Sequence, residues 1–136
     1  MRPLFALLAS LTLASAAQAQ APAVTTGSGL VYESLKDGNG ESPKATDTVK
    51  VHYRGTFPDG KEFDSSYKRG EPTEFPLNRV IKGWTEGVAL MREGETFEFV
   101  IPASLGYGSR WVGGDELPPN STLLFTVELL DVQPTA

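Results

Sequence analysis

The sequence predicts an α+β fold in which short strands pack around one short helix. One stretch, Asn78 to Gly94, sustains a helical period. Val80, Ile81, Trp84, Gly87, Val88 and Met91 fall on one stripe, and Lys82, Glu86 and Arg92 fall opposite. Three further stretches, Thr48–Phe57, Phe97–Ile101 and Ser121–Val132, alternate with the period of two that a half-buried strand requires. Raised glycine and proline, 14 and 10 residues, supply the turns between them. A lone amphipathic helix among strands has to bury its stripe against their sheet, which turns Trp84 toward the concave side.

The chain of 136 residues supports one domain with a real core. Its net charge is −5 and its longest basic cluster is Lys68-Arg69, the wrong balance for a phosphate-backbone binder, so nucleic acid is not an expected partner. Met1-Arg2 followed by the apolar run Leu4–Ala17 is too short to span a bilayer. With small residues at Ala17-Gln18-Ala19 it reads as a secretory signal peptide over residues 1–19, cleaved after Ala19. Loss of Arg2 takes the net charge from −5 to −6. The chain has no cysteine, which excludes thiol chemistry, disulfides and a lipid-anchored cysteine. Export to a bacterial periplasm, with no membrane partner, is the simplest expectation.

Residues 20–28 are small and polar and read as a flexible tether, leaving residues 29–133 as the folded domain. Leu30–Leu35 is a candidate first strand closed by Asp37-Gly38-Asn39-Gly40. That turn opens like a calcium loop, but Ser42 stands where glycine is needed and Thr48 where the bidentate Glu should be. In the next strand Val49, Val51, Tyr53 and Phe57 face one way, and Lys50, His52 and Arg54 the other. The single histidine is therefore expected to be exposed between two cations, a poor setting for Ser-His-Asp hydrolysis or a metal cluster.

Phe57-Pro58-Asp59-Gly60-Lys61 is a turn, and Lys61–Ser65 a short strand after it. Asp59 and Glu62 lie too close to one hairpin to flank a glycosidase cleft and read as solvated turn charges. Asp64 differs: it follows Phe63 and leads into the polar bend Ser65–Gly70. Asn78 is the expected helix N-cap, Gly94 its left-handed stop, and Lys82 and Glu86 a weak pair one turn apart. Pro102–Asn120 is long for a loop in a compact domain yet carries Tyr107, Trp111 and Leu117, which argues for function over disorder. Gly106 and Gly108 suggest a backbone shaped to present the Tyr107 phenol.

Five motifs then stand in order: Val51-His52-Tyr53-Arg54-Gly55, Asp59–Ser66, Val80–Val88, Leu105-Gly106-Tyr107-Gly108 and Leu117–Leu123. Together they resemble the FKBP-type peptidyl-prolyl cis-trans isomerases over about residues 28–133. The resemblance implies a bent antiparallel β-sheet wrapped around one short α-helix, with the ligand pocket between them. It implies catalytic residues Tyr53, Phe63, Asp64, Tyr107 and Phe125, and substrate-binding residues Phe75, Val80, Ile81, Trp84 and Leu117, with Trp84 as the floor. Substrates would be proline-containing unfolded or extended polypeptides, and macrolide inhibitors a second ligand class. No cofactor or metal is implied. Thr73 stands where the better-known eukaryotic pattern has a wall aromatic, the link from Leu77 to Val80 is shorter, and the loop Ser109–Glu116 differs; these bear on substrate preference and macrolide affinity. No helical extension precedes the domain, so the dimerising arm of some exported relatives is absent and a monomer is expected. A module of another class, capturing proline segments without turnover, would use the same pocket.

Overall fold

The computed structural model describes residues 22–109 and 118–134. Strands β1 (Val24–Thr25), β2 (Val31–Lys36), β3 (Thr48–Thr56) and β4 (Glu62–Ser65) come first. A single helical turn α1 (Ser66–Arg69), strand β5 (Thr73–Pro76), a 3-10 turn (Leu77–Arg79) and helix α2 (Lys82–Val88) follow. Strand β6 (Thr96–Ile101), a second 3-10 turn (Ala103–Leu105) and strand β7 (Leu123–Gln133) complete the described chain. All pairings are antiparallel, in the order β1-β2-β6-β7-β3-β4, with β5 also paired to β3. The α+β antiparallel expectation therefore holds. Val24 and Thr25 lie in the segment expected as a tether, yet they pair with Tyr32 and Val31 and extend the sheet by a short strand.

The alternating segments form strands because one face of each is apolar. Val49 and Val51 of β3, Phe99 and Ile101 of β6, and Leu123, Val127 and Leu129 of β7 are all fully buried on that face. Each such aliphatic or aromatic side chain contributes about 1.5–3 kcal/mol through burial. The outer edge of β3 is shared: β5 pairs with its first half through Val49↔Phe75 and Val51↔Thr73, and β4 with its last residues through Gly55↔Asp64. The excursion β4–α1–β5 thus folds back beside β3. It also changes the setting of His52, which is half-buried rather than exposed: its Nδ1 lies 2.7 Å from Ser66 Oγ, and its ring stacks on Tyr67 at 4.5 Å. Periodicity along β3 gives no sign that α1 covers that face.

The helix is shorter than its apolar period. Asn78 sits in the 3-10 turn, and α2 begins after Ile81 with no side-chain cap. Thr85 Oγ1 donates to the Leu77 carbonyl at 2.8 Å and ties turn to helix. Gly94 is left-handed at φ 95°, but it turns the chain into β6, its N–H donating to the Leu129 carbonyl at 2.8 Å. Met91 remains fully buried beyond the helix end, which is why the stripe outruns the helix. Glu86 does not reach for Lys82; it accepts from Ser28 Oγ at 2.5 Å. Close docking of α2 rests on Gly83 and Gly87, where an added Cβ would lie 2.8 Å from Ile101 Cγ2 and 2.4 Å from Phe99 Cε1.

Candidate active site

Between α2 and the sheet lies a cavity of about 970 Å³. Trp84, on the first turn of α2, forms its floor and is only 5% exposed. The indole meets three rings: Tyr53 edge-on at 5.1 Å, Phe125 edge-on at 5.2 Å and Phe75 tilted at 5.4 Å. Phe63 stands edge-on to Phe125 at 5.5 Å and leans on Phe57 at 4.9 Å. Such edge-to-face pairs are each worth about 0.5–1.5 kcal/mol beyond their burial, so the wall is held as a unit. Indole Nε1 is buried and has no hydrogen-bond partner among the described residues.

Residue 55 makes this wall possible. A Cβ there would come within 2.7 Å of Phe125 Cε1 and 2.8 Å of Phe63 Cζ, so only glycine lets both rings close over β3. On the opposite side, Tyr107 is presented by a tight turn in which Gly108 takes φ 60° and donates to the Ala103 carbonyl at 2.8 Å. Asn120, itself left-handed at φ 62°, donates to the Gly108 carbonyl at 2.7 Å and fastens the far end of the loop there.

The one carboxylate among the described wall residues is occupied. Tyr53 Oη donates to Asp64 Oδ2 at 2.6 Å, and Arg69 Nη1 donates to Asp64 Oδ1 at 2.7 Å. Arg69 Nη2 donates to Tyr53 Oη at 3.1 Å and to Thr73 Oγ1 at 3.0 Å, closing a network across β3, β4, α1 and β5. Ser65 makes this geometry local: its side chain caps α1 through Lys68 N, and Gly70 ends the turn left-handed, which aims Arg69 back at β4. Burial, and then the bond to Asp64, push the Tyr53 phenol above its ordinary value. The bonds to Tyr53 and Asp64 raise the Arg69 guanidinium further. Glu62, expected as a solvated turn charge, pairs with Arg54 at 2.8 Å and Lys68 at 3.1 Å. The Lys68 hydrogen bond is the main cause that lowers its carboxyl.

A model of the "FKBP-type peptidyl-prolyl cis-trans isomerase" family matches residues 39–130. The chain belongs to that family. A probable FKBP-type isomerase of Haemophilus influenzae is 56% identical over 110 residues, covering 81% of this chain and 45% of that protein. The crystal structure of FkpA from Escherichia coli matches with TM-score 0.80 and 48% identity over 93% of this chain and 58% of that one. An isomerase structure from Pseudomonas syringae matches with TM-score 0.77 and 34% identity over 98% of both chains. The chain spans less than half the length of the Haemophilus relative.

Within this FKBP-type fold, Tyr53, Phe63, Asp64, Phe75, Val80, Ile81, Trp84, Tyr107 and Phe125 all line the one cavity. Leu117 lies outside the described residues, as do Trp111 and residues 1–19. Thr73 lines the wall too and holds Arg69. Arg79, Lys82 and Ser104 also line the cavity and were not singled out for it, since an isolated charge beside an apolar motif carries no sequence signal of its own.

Proposed function

We propose that the protein catalyses cis–trans isomerisation of X-Pro peptide bonds in polypeptides that have left the cytoplasm. One observation carries the reading: a cavity lined, among the described residues, by six aromatic side chains and one carboxylate, which is already bound to a phenol and a guanidinium. Family membership supports it, and the leader-like residues 1–19 support export to the periplasm.

Rotation about the amide C–N bond breaks its partial double-bond character, at a cost of roughly 18–20 kcal/mol. The planar amide is charge-separated and is stabilised by water; the twisted one has lost that resonance. Replacing water by the rings of Tyr53, Phe63, Trp84 and Phe125 therefore raises the planar form relative to the twisted one. The prolyl ring sits on Trp84 between Phe63, Phe125, Tyr53 and Val80. The Tyr107 hydroxyl and the Ile81 N–H, which has no acceptor among the described residues, hold carbonyls of an extended peptide. Asp64 anchors the wall by orienting Tyr53 and Arg69. An ionised carboxylate facing a carbonyl oxygen would repel it, which argues against direct contact. No proton moves in this scheme. Proline-containing segments are the substrates, macrolides a further ligand class and the monomer the working form.

A protease-coupled assay on a Leu-Pro peptide tests the reading. The expected result is faster isomerisation at substoichiometric protein. An unchanged rate with peptide bound would leave a proline-capture module instead.

A further inference from the structure

Among the described residues, the charged groups lining the cavity are Asp64, Arg79 and Lys82. Asp64 is offset by Arg69 at 2.7 Å. Arg79 and Lys82 are exposed, and neither has an ion pair or side-chain hydrogen bond to an acid among the described residues. The described mouth of the cavity therefore holds two uncompensated cations on a chain whose net charge is −5. The two bracket Val80 and Ile81, the wall segment against which the isomerase reading lays the substrate backbone. The lining residues contributed by the loop after β6, Ser104, Gly106, Gly108 and Ser109, are neutral.

Resting on that reading, we infer that Arg79 and Lys82 are specificity-determining residues that favour X-Pro segments carrying an Asp or Glu on a residue flanking the proline. A substrate carboxylate laid along Val80–Ile81 comes within reach of both cations, whereas a basic side chain there meets like charge. Opposite charges at an exposed rim act chiefly on encounter and on selection among partners. The effect is thus read in kcat/KM and weakens with salt.

The test compares peptides that differ only by Glu against Gln at each position flanking Leu-Pro, followed by exchange NMR so that no protease preference intrudes. At one flanking position the Glu peptide is expected to show a kcat/KM about 1.5- to fivefold above its Gln counterpart, the range exposed ion pairs allow. The ratio should fall toward one at about 0.5 M salt, where charges are screened within a few Å. It should also fall toward one in the double variant R79Q/K82Q, while K50Q, remote from the cavity, leaves it intact. Because the readout is a ratio, a general loss of turnover or stability in the variant cancels. A ratio of one at every position in the native protein, or a preference that survives R79Q/K82Q, overturns the inference while leaving the isomerase reading standing. Failure to turn over the parent Leu-Pro peptide overturns both.

Discussion

Phe63 and Phe125 can meet above the floor because residue 55 lacks a side chain, and the consequences are measurable at each ring. Phe63 is only half-buried, so its truncation should cost less than the 3–5 kcal/mol typical of a buried Phe→Ala. It removes one wall of the proposed prolyl seat, however. Phe63→Ala is therefore expected to lower kcat/KM for a Leu-Pro peptide at least about tenfold with a cooperative urea transition retained. Wild-type turnover in that variant would refute the seat assigned here. Gly55→Ala should displace both rings from the other side and give a similar loss. Tyr53 predicts a pH effect on stability. Its folded value is raised, so the folded chain holds a proton that the unfolded chain releases first. This contribution is fully present below the ordinary phenol value near 10 and is lost as pH rises through it and beyond. Tyr67, raised by burial and by Glu128, acts in the same direction. Urea midpoints from pH 8 to 11 should fall in the native protein and fall less in Y53F/Y67F. Equal slopes would contradict the shifts.

Among the elements, the strands were the more legible in sequence. Phe97, Phe99 and Ile101, and Leu123 through Leu129, alternate because β6 and β7 each bury one face, and the pleat imposes a period of two. Helix ends were less legible. The apolar stripe runs on to Met91 because a buried turn after α2 needs an apolar side chain as much as a helix does, and Asn78 caps nothing because a 3-10 turn intervenes. The function of Gly83 was hidden as well, since a missing side chain shows its reason only beside the residue it accommodates, here Ile101. Gly87 allows the two effects to be weighed. Alanine in place of a helical glycine gains at most about 0.5–1 kcal/mol of propensity, and Gly87 stands one residue from the helix end. Its Cβ would stand 2.4 Å from a ring carbon of the fully buried Phe99, and overpacking of that kind costs about 1–3 kcal/mol. Gly87→Ala should therefore destabilise; a raised urea midpoint would show that α2 can lift from the sheet at little cost.

For the molecule as a whole, the site is assembled from β3, β4, β5, α2, the loop after β6, and β7, so no single segment announces it. Its aromatic wall was legible because five motifs resemble one family in order. The cations Arg79 and Lys82 carry a functional reading only once the fold places them on the same cavity as an Asp64 ion-paired with Arg69. The proposed function requires one thing of the whole fold: an aromatic seat in which an amide twists without proton transfer. Exchange NMR on a Leu-Pro peptide, run in ordinary and in heavy water, tests that claim most directly. The expected result is accelerated cis–trans exchange at substoichiometric protein with nearly equal kcat/KM in the two solvents. A rate that falls by more than about twofold in heavy water would reveal a proton moving in the transition state and contradict it.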